Sequence, residues 1–515
     1  MRAAVYDAWF HTMGGGEYHA IAVATALAEI YDEVDIIVHR PASLPQVEPG
    51  NDDASDRLQI KVIPLWPDNK LYDFFRTYDL FVNATHESRL HNPSHRGIRL
   101  LFFPPKPSSK LWHLADSLLA YVERMGGAPT YAEGFYGPER LGRGWFRASG
   151  TDAHIAIHKQ KGDYITLMLG LPTGAEAKEV TLSIGDKKLG STIIEPTNGN
   201  FVPFGPIKIP HKTHCARLTL SCNSIDSSVD SNELRELGVL VAGMRTNHVQ
   251  SILPRVISQS LPHITEEIER VRSRNDSSSM SSYDLILTNS EFSCRWARKW
   301  WDIDPKTVYP PVTPIDTGMT EKQPLILSVG RFFAGGHNKK HDIMIKQFKH
   351  LIDDGLHGWT LQLIGGQGTT KADTEYMEHI LHLADGYPIN VSPNLSKPSL
   401  DSAYAKASIY WHATGFGEKK SNPSVFEHFG IAAAEAMSAG ACPLLFNGGG
   451  LSEIIEPHVS GFLWSNTGEL TKLSWDLIRN ANLRRTIGTQ AIKRSKAFHP
   501  DKFRSDILKH VDKFL

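Results

Sequence analysis

Short apolar runs closed by glycine, proline or polar turns alternate with amphipathic stretches over the first hundred residues, and again from about residue 323. That alternation predicts strand–helix–strand units of open, mostly parallel sheets. A buried-strand pattern at 2–8 precedes a helix from about Tyr18 to Ile30 and a strand at Val34–Val38. Further strands are expected at Ile60–Ile63, Leu80–Asn83 and Ile98–Phe103, before Pro104, Pro105 and Pro107 end the pattern. From about Trp145 to Cys222 the period changes to two, with strands at Ile165–Leu169, Val180–Ile184 and Ala216–Ser221. Turns at 185–188 and 198–200 join them, which suggests a small sandwich. The α/β pattern is expected to resume near Gly238–Val241 and to continue through a strand at Tyr283–Ser290, a Trp-rich helix from Phe292 to Trp301 and a strand at Lys306–Tyr309.

The second α/β region opens on the strand Leu325–Val329, followed by Gly330, Arg331 and a loop carrying Gly335, Gly336, Lys339 and Lys340. A helix from Asp342 to Leu351, the strand Leu361–Ile364 and the Gly365–Gly366 turn come next. The stretch from Phe426 to Gly440 lies between apolar strands at Ser408–Ala413 and Cys442–Phe446. Ala and Met favour a helix from about Ile431, and Gly440 suits its end. Glu427 falls in the loop before that helix and Glu435 about one turn inside it. Eight residues on a continuous helix would span ~12 Å with the two side chains ~80° apart, which argues against a close acid/base dyad. The helix start near Phe429, Gly430 and Ile431 is an anion site with a carboxylate on either side, an arrangement suited to a sugar nucleotide; solvated glutamates on an ordinary helix are the plain alternative.

The expected domains are residues 1–106 with 238–315, an inserted segment at 107–237 with a β module at about 142–225, a second α/β domain at 323–495, and a C-terminal helix at 496–515 able to cross back to the first domain. At 515 residues the chain is too long for one core. Its 55 Lys+Arg against 56 Asp+Glu gives no net field that would call for nucleic acid. Four cysteines, Cys215, Cys222, Cys294 and Cys442, show no metal spacing and fit a reducing compartment. No run of eighteen apolar residues occurs, and the N-terminus enters a strand without a signal-like apolar region, so the expected location is cytoplasmic. Lys106, Lys110 and Trp112 would permit peripheral membrane contact, although a loop is the simpler reading.

Several polar features are expected at the carboxyl ends of the second domain's strands, where open sheets bind ligands. These are Arg331 with Lys339 and Lys340, Gly365–Gly366, the Glu427 and Glu435 pair, and Gly448–Gly450. An arginine can hold a diphosphate with two donors, and a lysine adds a point charge. The Gly14–Gly16 turn after the first strand lets a phosphate or sugar approach the backbone, but it lacks the dinucleotide spacing. His86, His91 and His95, and likewise His154 and His158, lack the partners of a metal site. No Gly-x-Ser-x-Gly elbow points to a hydrolase. Trp296, Trp300 and Trp301 are read as packing residues in preference to a sugar platform.

From Ser328–Arg331 through Glu427–Gly430, Glu435–Met437, Gly440 and Gly449–Glu453 to Gly461–Leu463, the chain closely resembles the family-4 retaining glycosyltransferases of group 1. The resemblance covers most of 323–480, and the Gly14–Glu17 turn resembles the same enzymes less specifically. It implies an α/β protein with two Rossmann-like domains of GT-B type and an all-β insertion in the first. It also implies a UDP- or GDP-sugar donor held without a divalent metal or other cofactor. Arg331 and Lys340 would bind the diphosphate, with Lys339 as the alternative. Glu427 would take the donor sugar's hydroxyls and Glu435 the ribose. Backbone at Phe429, Gly430 and Ile431 would line the sugar and phosphates, and Gly15 and Gly16 would approach from across the cleft. Arg331, Lys340 and Glu427 are the implied catalytic set. Many relatives carry a histidine where this chain has Phe102, so the contact made by that histidine must come from another residue or be absent. The inserted segment resembles accessory sandwich domains of polysaccharide glycosyltransferases.

The expected function is transfer of a hexose to a glycan or lipid-linked acceptor in polysaccharide or glycoconjugate synthesis. A GT-B epimerase or phosphorylase is one alternative, and a catalytically silent glycan-binding protein is another.

Overall fold

A computed structural model describes residues 1–8, 10, 15–40, 56–64, 66–86, 88–107, 114, 117–118, 129–141, 144–158, 164–171, 175–196, 200–210, 215–222, 226–227, 236–246, 277–368 and 370–513. Gly14, Lys110, Trp112 and the turn at 198–199 lie outside these residues. The chain forms two compact units. One comprises Met1–Met13, Ala28–Arg99 and Pro107–Asp284, and the other Gly14–Leu27, Leu100–Lys106 and Leu285–Leu515.

In the first unit, β1 (Arg2–Tyr6), β2 (Glu33–Val38), β3 (Leu58–Val62), β4 (Leu80–Asn83) and β5 (Arg96–Leu101, whose last two residues belong to the second unit) pair in parallel in the order β5-β4-β1-β2-β3. Ala3, Val5, Ile36, Ile37, Phe81 and Val82 are fully buried, as expected of strands covered on both faces. The buried Arg99 guanidinium donates to the Asn83 carbonyl at 2.9 Å, to Asn83 Oδ1 at 2.8 Å and to the Thr85 carbonyl at 2.8 Å, which ties down the chain leaving β4.

The same unit holds two five-stranded antiparallel sheets. One runs in the order 202–208, 164–170, 240–246, 144–149, 135–141, and the other 187–194, 178–184, 215–222, 152–158, 129–131. Alternate residues of both, among them Ile155, Leu167, Leu182, Leu218 and Val241, share one core, so each sheet buries the apolar face of the other. Leu240–Thr246 corrects the sequence reading. Instead of resuming the α/β pattern, it pairs antiparallel with Tyr164–Gly170 and Gly144–Ser149. An isolated apolar run does not reveal whether its partner is parallel or antiparallel. Ser277–Ser281 forms a short helix.

In the second unit, β6 (Gln323–Val329), β7 (Thr360–Gly365), β8 (Ile389–Pro393), β9 (Ala407–His412), β10 (Cys442–Phe446) and β11 (Phe462–Trp464) form a parallel sheet in the order β8-β7-β6-β9-β10-β11. Side-chain alternation divides the central strands between two cores. Ile326, Trp411 and Leu444 face one, with Met344 and Phe348; Leu327, Tyr410 and Leu445 face the other, with Ala433, Ala434 and Met437. The helices used below are α1 (Gly15–Leu27), α2 (Glu291–Trp301), α3 (His341–Asp353), α4 (Lys397–Lys406) and α5 (Ile431–Ser438). The C-terminal helix Pro500–Val511 meets α1, where Phe503 packs edge-on to His19 at 5.1 Å. Among the described residues no helix is long and apolar enough to cross a membrane.

Candidate functional site

The site is built at the carboxyl ends of β6 and β9 and at the head of α5. Three small residues, Ala433, Ala434 and Ala436, are fully buried and bring α5 close to the sheet. Its start turns on Gly430, whose φ of 110° no L side chain adopts readily. A Cβ there would also meet Leu451 Cδ2 at 2.8 Å. The first amides of α5, at Ile431 and Ala432, have no acceptor within the helix, as at any helix start. Phe429 is buried beneath them.

Glu427 lies just before this turn, with its side chain 16% exposed. Lys339 Nζ donates to its Oε2 at 2.5 Å. Buried His412, the last residue of β9, reaches the same oxygen through Nε2 at 3.1 Å. Burial pushes the Glu427 carboxyl up, but Lys339 and His412 outweigh it and hold the group well below the usual carboxylate range. Lys339 can lie along the end of β6 because residue 330 is glycine; a Cβ at Gly330 would meet Lys339 Cγ at 2.6 Å.

The neighbouring lysine does something else. Lys340 has a left-handed φ of 58° at the start of α3, and its Nζ donates to Glu418 at 2.6 Å. The backbone twist at this position sends adjacent ammonium groups to different carboxylates. The loop is held by Asn338, which accepts from the Lys340 amide at 2.7 Å, and by Asp373, which accepts from the Ala334 amide at 2.9 Å. Arg331 stands exposed just past β6, with its guanidinium 5.9 Å from the centre of the Phe333 ring.

Glu435 lies one turn into α5, and Tyr404 of α4 donates to its Oε2 at 2.8 Å. Burial raises the Glu435 carboxyl despite that bond. The two glutamates therefore sit in opposite electrostatic settings, in keeping with different roles. Gly15 begins α1 within reach of α5: a Cβ on it would meet Ile431 Cδ1 at 2.9 Å. A Cβ on Gly16 would meet the Phe102 ring at 3.5 Å. Phe102 packs edge-on to His19 at 5.5 Å, and its neighbour Phe103 stacks on His428 with ring centroids 4.2 Å apart.

Two of the glycine turns expected to face ligand also meet a packing demand. A Cβ on Gly365 would meet the Gly330 carbonyl at 1.9 Å, one on Gly449 the Glu427 carbonyl at 2.1 Å, and one on Gly450 the His428 carbonyl at 2.0 Å. Gly450 N–H donates to the Glu427 carbonyl at 2.8 Å, so this turn fixes the backbone that carries Glu427. Gly449 also has a φ of 66°. Gly449→Ala is expected to lower stability by roughly 1–3 kcal/mol, measured by thermal unfolding. A variant that melts with the wild type would remove this role.

Sequence reading assigned no role to His412, Glu418, Tyr404 or Glu453. Glu453 accepts from the Glu291 amide at 2.7 Å and the Phe292 amide at 2.6 Å, capping α2 with both carboxylate oxygens. A histidine ending an apolar strand was the available signal for His412. The partners of the other three residues lie far off in sequence, which leaves no local trace. Trp301 is packed, donating Nε1–H to the Pro105 carbonyl at 2.8 Å; Trp296 and Trp300 are half-buried and lie 4.9 Å apart. Among the described residues, no three His, Cys, Asp or Glu side chains gather as a metal-binding set.

Residues 314–494 match the family Glycosyl transferases group 1. No curated protein matches the chain at a significant level. Sucrose-phosphate synthase from Thermosynechococcus elongatus is similar in structure, at 12% identity and a TM-score of 0.50, over 100% of this chain and 98% of its own. Anabaena HepE, solved in complex with UDP-glucose, is similar at 11% identity and a TM-score of 0.50 over 100% of both chains. At such identities the likeness concerns the fold, two Rossmann-like domains of GT-B type.

Proposed function

We propose, for a chain that belongs to the group 1 glycosyltransferases, that it moves a hexose from a nucleoside-diphosphate sugar to a glycan or lipid-linked acceptor with retention of configuration. The observation that carries this reading is the Glu427 carboxylate, held ionised by Lys339 and His412 beside the start of α5 and the exposed Arg331. HepE, with its bound UDP-glucose, supports a nucleotide sugar as the donor.

In this reading Arg331 and Lys339 grip the diphosphate, and the amides at the head of α5 line the sugar and phosphates. Lys339 takes the place first given to Lys340, because its ammonium shares the carboxylate of Glu427 while that of Lys340 is engaged by Glu418. Glu427 accepts hydrogen bonds from the donor sugar's hydroxyls and Glu435 from the ribose. The anomeric C–O bond breaks with its electron pair passing to the leaving diphosphate. The acceptor oxygen bonds to the same face of the anomeric carbon, and its proton passes to a phosphate oxygen. Cationic side chains stabilise the charge that develops, so the reading requires no divalent metal and no other cofactor.

The test is a panel of UDP- and GDP-sugars, with and without glycan acceptors, read by mass spectrometry for transfer or hydrolysis and by NMR for the product anomer. Sugar release from one donor with the α or β configuration kept is the expected result. Inverted product removes the retaining assignment, and no release from any donor removes the transferase reading.

A further inference from the structure

We propose that His412 is the positioning residue of the donor site: its Nε2–H commits Glu427 Oε2 to the protein and leaves Oε1 as the single oxygen offered to the donor sugar. The inference rests on the role given to Glu427 above and concerns how that role is secured. His412 Nδ1 accepts from the Thr414 amide at 3.3 Å, which assigns the ring proton to Nε2. The ring is buried, and burial lowers its pKa despite the adjacent carboxylate, so it is a neutral donor near neutral pH. Lys339 and His412 both act on Oε2, and among the described residues Oε1 takes no hydrogen bond from the protein.

The two partners have different abilities. Lys339 brings charge on a flexible stem and by itself permits the carboxylate to turn and offer either oxygen. The imidazole is rigid, fixed by the strand that carries it, and donates along one direction. Tyr410, two residues earlier on β9, lies on the same face with ring centroids 6.4 Å from His412, so the strand's register sets the aim of the ring. The groups facing Glu427 and His412 are thus Lys339 from the loop after β6, His341 from the head of α3 and Tyr410 from β9.

The experiment uses the full chain and whichever UDP- or GDP-sugar the panel identifies. His412→Leu should lower kcat/KM for the donor about tenfold to hundredfold, the scale of a lost hydrogen bond to a charged group. His412→Gln, which retains an N–H donor, should recover most of that loss. In a Glu427→Gln background, His412→Leu should add less than about twofold, because the two residues act through one carboxylate. In His412→Leu the acid limb of the pH profile should move to higher pH, since Glu427 loses one of the two groups that keep it ionised. His412→Phe repeats the test with the ring's bulk kept, should the leucine variant fold poorly. An undiminished kcat/KM in both His412→Leu and His412→Phe overturns the proposal, as does an equal fractional loss with and without Glu427. Normal turnover in Glu427→Gln would instead sink the donor-site reading itself.

Discussion

Lys339→Ala is expected to lower kcat for sugar transfer by about 10²–10³-fold, the scale of removing one charge-stabilising donor from an active site. Lys340→Ala, one residue away, should cost less than about tenfold by the same comparison. The contrast follows from the left-handed backbone at Lys340. It turns that side chain toward Glu418, while Lys339 lies across Gly330 to reach Glu427. Lys340→Ala also leaves Glu418 a third exposed to water, which limits the cost of losing its partner. Steady-state kinetics on both variants, with melting temperatures to confirm folding, checks the assignment. A larger loss at Lys340 than at Lys339 would return the diphosphate role to the residue that the family resemblance favoured.

Glu427→Gln should reduce kcat/KM for the donor by about 10²-fold, as expected when a charge-assisted hydrogen bond to the sugar is lost. The substitution keeps the side chain's shape and leaves the Lys339 ammonium without its carboxylate. It also predicts a pH signature. The Glu427 carboxyl is held well below its unfolded value, so the wild type gains stability from it above the ordinary carboxylate range and loses that gain as pH falls through the folded value. The difference in melting temperature between wild type and Glu427→Gln should therefore shrink as the pH is lowered from 7 toward 3. A difference that stays constant over that range would mean that Glu427 is not held ionised by its neighbours. Full donor turnover in the variant would remove it from the site.

Much of the site was legible because its chemistry is clustered in sequence. Glu427, Gly430 and Glu435 fall within nine residues, and the alanine run between the last two marks the helix. Glycines at 430, 449 and 450 were visible, but the atoms that exclude a side chain there, the Leu451 side chain at Gly430 and the Glu427 and His428 carbonyls at Gly449 and Gly450, are contributed by other turns of the chain. For that reason Gly449 and Gly450 were read as ligand-facing when their immediate demand is to seat the backbone of Glu427 and His428. The Trp-rich helix had its amphipathic spacing in plain view, but Glu453, which caps it, is more than 160 residues away.

Local periodicity by itself determined the two α/β regions, the β-rich segment between them and the loop in which Glu427 stands. Side-chain direction repeats every two residues on a strand and every 3.6 on a helix, and neighbours in sequence suffice to show it. Only the tertiary structure decided which strand Leu240–Thr246 would join, which of two adjacent lysines meets Glu427, and that His412 stands behind that carboxylate. Those outcomes depend on the partner across the sheet and on a single backbone φ at Lys340. Neither leaves a period in the sequence to be read.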